Sequence, residues 1–221
     1  MMKPRRFISL LILVVLCGGW TASRLHHVRQ PETKSLVYTE GTDTVGRESF
    51  TRSATSLRGD LFRGTTHLHY EGRVASNGTI SRLDVRTTGP GSGPATLASV
   101  IIGRDSAFLI GHLRTKVDTL RVASQPGLLP VINPSIGLIE LIIERARAQH
   151  LKTVKIPVLS IDEAAVGTIE VTFVSPDTAM VGFADHPKPM RVAVDAQGRI
   201  LGGTLGPRRI TILLSRGARP R

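Results

Sequence analysis

Thiol chemistry is almost absent from this chain. Its one cysteine, Cys17, lies inside an N-terminal apolar run, so nothing downstream can form a disulfide, a thiolate nucleophile or a cysteine-ligated metal site. Aromatic residues make up only 4% of the sequence, which leaves Leu, Ile and Val to fill the core. There is no Gly-x-Ser-x-Gly elbow, no His-Glu-x-x-His helix and no phosphate-cradling glycine loop. Hydrolase, metalloprotease and nucleotide-binding chemistry are therefore without a motif. Asp162 and Glu163 are adjacent, and neighbours on a strand or turn seldom converge, so they do not make a paired-carboxylate site. The formal charge of +12 comes mostly from arginines spread through many segments, with no basic helix and no interleaved aromatics. No nucleic-acid partner is expected from such a pattern. No fixed-period repeat is present either.

What is present begins with an export signal. Lys3, Arg5 and Arg6 precede an apolar run from Phe7 to Cys17 broken only by Ser9, the length of a signal-peptide h-region. Gly18, Gly19, Ala22 and Ser23 offer small residues for cleavage, while Trp20 interrupts the simplest small-x-small placements. Residues 1–23 thus read as a signal peptide or as a signal anchor in the inner membrane. Either reading places the domain outside the cytoplasm, in the periplasm or cell envelope. Leu16, immediately before Cys17, argues against lipid attachment. Residues 24–34 read as a polar tether, residues 35–215 as one antiparallel β-domain, and residues 216–221 as a basic tail.

Within the domain, turn residues recur at intervals of about ten, as an antiparallel sandwich or barrel requires. Leu68, Tyr70, Gly72 and Val74 share one strand face, Asn77-Gly78 supplies a two-residue turn, and Leu83 and Val85 lie on the return. The turn also accounts for the Asn77-Gly78-Thr79 sequon. Val154, Ile156 and Val158 point one way, with Pro157 on the opposite phase marking an edge or bulged strand. Ile169, Val171 and Phe173 alternate with polar residues.

The one long helix is predicted over residues 133–149, with Asn133 as N-cap and Pro134 at the first helical position. Apolar residues cover most of its circumference and leave Gly137, Glu140, Glu144 and Arg147 as a narrow polar stripe. The expected fold is mainly β (α+β): a curved antiparallel sheet or half-barrel wrapped around one central helix, preceded by the N-terminal signal or anchor helix. On the polar stripe, Glu140 and Glu144 stand one helical turn apart; on a mostly buried helix they could hold raised pKa values, a mark of functional sites, but the plainer expectation is that the stripe reaches solvent, with Glu144 compensated by Arg147 or Arg145.

An export signal, strands of the type Val45-Gly46-Arg47-Glu48-Ser49-Phe50, a single plugging helix and a closing meander together resemble the bacterial lipoprotein-carrier half-barrel superfamily and exported β-domains built that way. The likeness is one of pattern, from about Ser35 to Leu214. It implies a concave apolar sheet face able to hold acyl chains beneath a lid. The expected function is an exported, non-enzymatic envelope protein binding a lipid or lipid-modified partner. Its groove would be lined by Leu128, Leu129, Ile136, Ile139 and Ile143, with no cofactor. One alternative is a membrane-tethered structural or interaction domain whose arginines touch an anionic membrane surface. A second is a metal-dependent protein using His67, His69 and Glu71, since alternate residues of a strand share a face and two imidazoles with a carboxylate suit a divalent metal. Against it, Leu68 and Tyr70 claim the core side, so this polar row belongs to the solvent side.

Overall fold

Alternating burial organises nearly every strand. In the computed structural model, which describes residues 31–75, 77–89, 96–113, 116–133, 135–183, 189–205 and 210–214, these described residues form a 15-stranded sheet and one α-helix. The expected signal, Cys17, most of the tether and the basic tail lie outside the described residues. Among those residues no helix is long and apolar enough to cross a membrane.

The first half is a meander: β1 (Glu32–Glu40), β2 (Asp43–Arg52), β3 (Ser56–Arg63), β4 (Thr66–Val74), β5 (Ile80–Thr88), β6 (Thr96–Ile102), β7 (Ser106–Leu113) and β8 (Lys116–Ala123). The chain then crosses to the opposite edge as β9 (Leu129–Val131) and enters the helix α1 (Ile136–Arg147). It returns through β10 (Thr153–Ser160), β11 (Ala165–Ser175), β12 (Thr178–Phe183), β13 (Met190–Val194), β14 (Ile200–Leu205) and β15 (Ile210–Leu214). β15 pairs antiparallel with β1, for example Tyr38 opposite Ile212, so the first and last strands lie side by side in the middle of the sheet. All neighbours are antiparallel except β9 and β10, which run parallel with Leu129 opposite Val158.

The strands at the ends of the order are β8 and β9. β9 also touches β5, so the sheet curls until one edge meets a strand well inside the other half. The result is a mainly β, barrel-like enclosure with a helix inside it, as the pattern of the sequence led one to expect. Leu68, Tyr70, Leu83 and Val85 are buried, as are Val154, Ile156 and Val158, and Ile169 and Val171. β9 pairs only with Val158, Leu159 and Ser160, which leaves Pro157 on an open edge where its missing N–H costs no ladder bond.

Three expectations need correction. The β4–β5 connection is not a two-residue turn but runs over residues 75–79, closed by Ala75 N–H to Thr79 O at 2.8 Å, with Gly78 at φ +77°. β1 begins at Glu32, inside the supposed tether, where its inward positions Glu32 and Lys34 pair with Arg199 and with Glu140 of the helix and carry no apolar alternation. The helix is capped by Ser135, not Asn133, and runs over 136–147. Asn133 instead donates its backbone N–H to Asp162 Oδ2 at 2.7 Å.

Candidate functional site

The polar stripe of α1 faces the sheet, where the inward positions of β1 and β2 carry polar groups to meet it. Glu48 on β2 is 1% exposed. Its phase is that of Gly46 and Phe50, the inward face of the strand. Its two oxygens accept from five donors. Tyr38 Oη donates to Oε2, Tyr70 Oη to Oε1 at 2.9 Å and Ser135 Oγ to Oε1 at 2.7 Å; the backbone N–H groups of Ile136 and Gly137 complete the set at 2.8 and 3.1 Å. Ser135 Oγ in turn accepts from Leu138 N–H at 3.3 Å. The helix has no acidic residue in its first turn. The acid that its unpaired N–H groups and dipole favour comes from a strand 88 residues earlier in the chain.

Glycines make the room. Tyr38 lies against Gly46, its cross-strand partner, and Tyr70 lies against Gly59, its own partner on β3. A side chain at Gly59 would overlap the Tyr70 ring, and one at Gly137 would overlap the Tyr70 hydroxyl and come within 2.9 Å of the Phe50 ring. Burial, reinforced by the Glu48 charge, pushes both phenols well above the usual tyrosine range.

Alanine at Gly137 normally stabilises a helix by about 1 kcal/mol. Here the overlap dominates, and Gly137→Ala is expected to lower stability by about 1–3 kcal/mol, read from its urea midpoint.

Two further clamps follow along the stripe. Glu140, 3% exposed, accepts from Lys34 Nζ at 2.6 Å and from Ile200 N–H at 2.7 Å. Burial raises its carboxyl above the ordinary value against the opposing pull of Lys34. Glu144 pairs with Arg52 at 2.5 Å, while its second oxygen is buried without a partner. Glu140 therefore does not reach solvent, Glu144 is only partly exposed, and Glu144 is compensated by Arg52 and by neither Arg145 nor Arg147. Arg147 stacks over Phe173 at 3.9 Å and donates to Pro176 O at 2.8 Å. It borders an open depression of about 420 Å³ shared with His150, Leu151, Lys152 and Ser175.

The five residues expected to line a groove are brought together, but within the packed core. Leu128, Leu129, Ile136 and Ile143 are buried, and Ile139 packs against the same cluster. His67, His69 and Glu71 do share the solvent face of β4. Both imidazoles meet the same oxygen of Asp60 on β3, His67 Nε2 at 2.8 Å and His69 Nδ1 at 2.9 Å, while Glu71 lies 3.4 Å from His69 Nε2. The two histidine contacts hold the Asp60 carboxyl below its ordinary value despite partial burial. His67 also stacks on Phe62, with ring centroids 4.2 Å apart. Among the described residues no group of three or more His, Cys, Asp or Glu side chains is arranged to hold a metal ion.

Glu48 belongs to no motif that the sequence displays. Its signal was a lone carboxylate on the apolar phase of a strand between Gly46 and Phe50.

Fold and site together define an open, curved, barrel-like β-sheet around a helix that is held by the buried carboxylates Glu48 and Glu140. No protein-family model matches the chain, and no curated protein does. Two solved structures share the fold. One is a DUF1089 family protein from Pseudomonas aeruginosa, with a TM-score of 0.53 and 13% identity over 72% of this chain and 89% of that one. The other is a β-barrel-like protein of DUF1849, a domain of unknown function, from Brucella abortus, with a TM-score of 0.50 and 13% identity over 85% of this chain and 96% of that one.

Proposed function

We propose that the protein is an exported, non-enzymatic envelope domain that acts as a rigid scaffold through its outer surface. The observation that carries this reading is what becomes of the polar groups inside the sheet. Glu48, Glu140 and Glu144 all hold α1 in place, and the aliphatic residues beside them are packed. A lipid carrier would need α1 to leave the sheet, exposing five donors of the Glu48 cluster and two ion pairs at once. The N-terminal run of apolar residues after Lys3, Arg5 and Arg6 supports export.

Native mass spectrometry and lipid extraction of the protein purified from its own envelope fraction test the reading. Empty protein in that fraction is the expected result. A stoichiometric acyl lipid would replace the scaffold by a carrier with α1 as its lid. Recovery of the protein in the cytoplasmic fraction would remove export.

A further inference from the structure

The outer face of β5–β8 differs from an ordinary polar sheet surface. Leu97 on β6 is 48% exposed, Ile101 on the same strand 37%, and Ile110 on β7 36%. Phe108 lies directly opposite Ile101, and Ile110 directly opposite Ser99, so the four apolar side chains form one block on two adjacent strands. Arginines frame it. On β5, Arg82 stands opposite Ile101 and Arg86 opposite Leu97. On β8, Arg121 stands opposite Phe108, its guanidinium 5.8 Å from the ring. Arg104 is exposed in the β6–β7 turn. Asp84 is paired with Arg82 at 2.7 Å and accepts from Ser99, so these two charges answer each other, while Asp105 stands exposed beside Arg104 in the turn.

We infer that this face docks on an anionic lipid bilayer: Leu97, Ile101, Phe108 and Ile110 enter the headgroup boundary while Arg86, Arg104 and Arg121 contact lipid phosphates. Aliphatic and aromatic residues at the centre with guanidinium groups at the rim match the layering of a bilayer surface, apolar beneath and anionic above. A second copy of the chain fits the same face poorly. It would set arginine against arginine in a molecule of formal charge +12. The inference rests on the proposed reading that the domain works at the envelope through its exterior, and it names the surface and the partner.

The apolar run Phe7–Cys17 can itself enter a bilayer, so the test is read at single residues and not from total binding. Full-length protein carrying Cys17→Ser and Leu97→Cys is spin-labelled, and the accessibility of the label to oxygen and to a nickel chelate is measured by electron paramagnetic resonance. A label at Val174→Cys on β11, where the native residue is 53% exposed, serves as the control.

With phosphatidylglycerol–phosphatidylcholine vesicles, the label at residue 97 should gain oxygen and lose nickel accessibility, while the label at residue 174 stays aqueous. Arg86→Gln and Arg121→Gln should each lower the ratio of docked to undocked protein by about fivefold. High salt should undo the docking. The inference falls if residue 97 stays aqueous, if pure phosphatidylcholine gives the same signal, if residue 174 shifts equally, or if the change at residue 97 depends on protein concentration without vesicles. None of those outcomes touches the scaffold reading, which fails separately on a stoichiometric bound lipid or a cytoplasmic location.

Discussion

Glu48→Leu is expected to be the most damaging single substitution in the domain, lowering stability by about 3–5 kcal/mol. The leucine fills much of the space but accepts nothing. Three hydroxyls and two backbone N–H groups then face an apolar side chain, each buried donor without a partner costing about 1–3 kcal/mol before relaxation. Glu48→Gln keeps one acceptor oxygen and should cost less, about 1–3 kcal/mol. Urea unfolding at constant slope measures both. Hydrogen exchange at the Ile136 and Gly137 amides shows whether the loss is local to the helix start, as the geometry requires.

The same cluster sets a limit at alkaline pH. Tyr38 and Tyr70 are the two tyrosines of the sequence, and both hydroxyls donate to Glu48. Their folded pKa values are raised above the unfolded value of about 10. The stability they contribute is therefore complete below that pH and is lost as pH rises above it. Phenolate absorbance should appear only together with unfolding, in one cooperative step. Titration of either tyrosine in folded protein, with an ordinary pKa, would show that the cluster is open to water.

Much of the architecture could be read from the sequence because burial on one face leaves a period of two in a strand. The alternation of Leu68, Tyr70 and Gly72, and that of Val154, Ile156 and Val158, set their inward faces correctly. Local pattern failed where the inward face was polar or the element short. Glu32 and Lys34 hid the start of β1 because their partners, Arg199 and Glu140, are 167 and 106 residues away. The three residues of β9 carry no period, and their apolar character comes from burial on all sides. At β14 the period of two is broken, with Ile200 buried and Leu201 exposed where the register shifts opposite Ala193 and Val194. The stripe on α1 was visible from its spacing, but whether it faced water or the sheet depended on charges of β1 and β2. Curvature of the sheet around the helix brings those together, and no local window contains both sides. The aliphatic set Leu128, Leu129, Ile136, Ile139 and Ile143 shows the same limit, since a groove and a packed core have one composition.

Lys34→Met tests the middle clamp and gives the second largest expected effect, a loss of about 3–5 kcal/mol at neutral pH. Methionine retains most of the lysine stem, so packing changes little and the charge is what is removed. Glu140, at 3% exposure, then has only Ile200 N–H and must be ionised without a counter-charge or take up a proton. Burial already raises its folded pKa above the unfolded value of about 4.3 in the presence of Lys34, and loss of the cation raises it further. A raised carboxyl binds its proton more tightly when folded. The term therefore favours the fold most below the unfolded pKa and fades as pH rises through the folded one. The gap between Lys34→Met and the parent should accordingly be widest at neutral pH and narrow as the solution is made mildly acidic, where Glu140 protonates and donates or accepts as a neutral group. Adding Glu140→Gln, which keeps an acceptor for Ile200 N–H and removes the charge, should restore most of the neutral-pH loss and flatten the pH dependence. Urea midpoints for the two single variants and the double variant across that range close the cycle. Additive effects with no pH dependence would mean that the two charges do not act as a buried pair and that α1 is held chiefly by its aliphatic face.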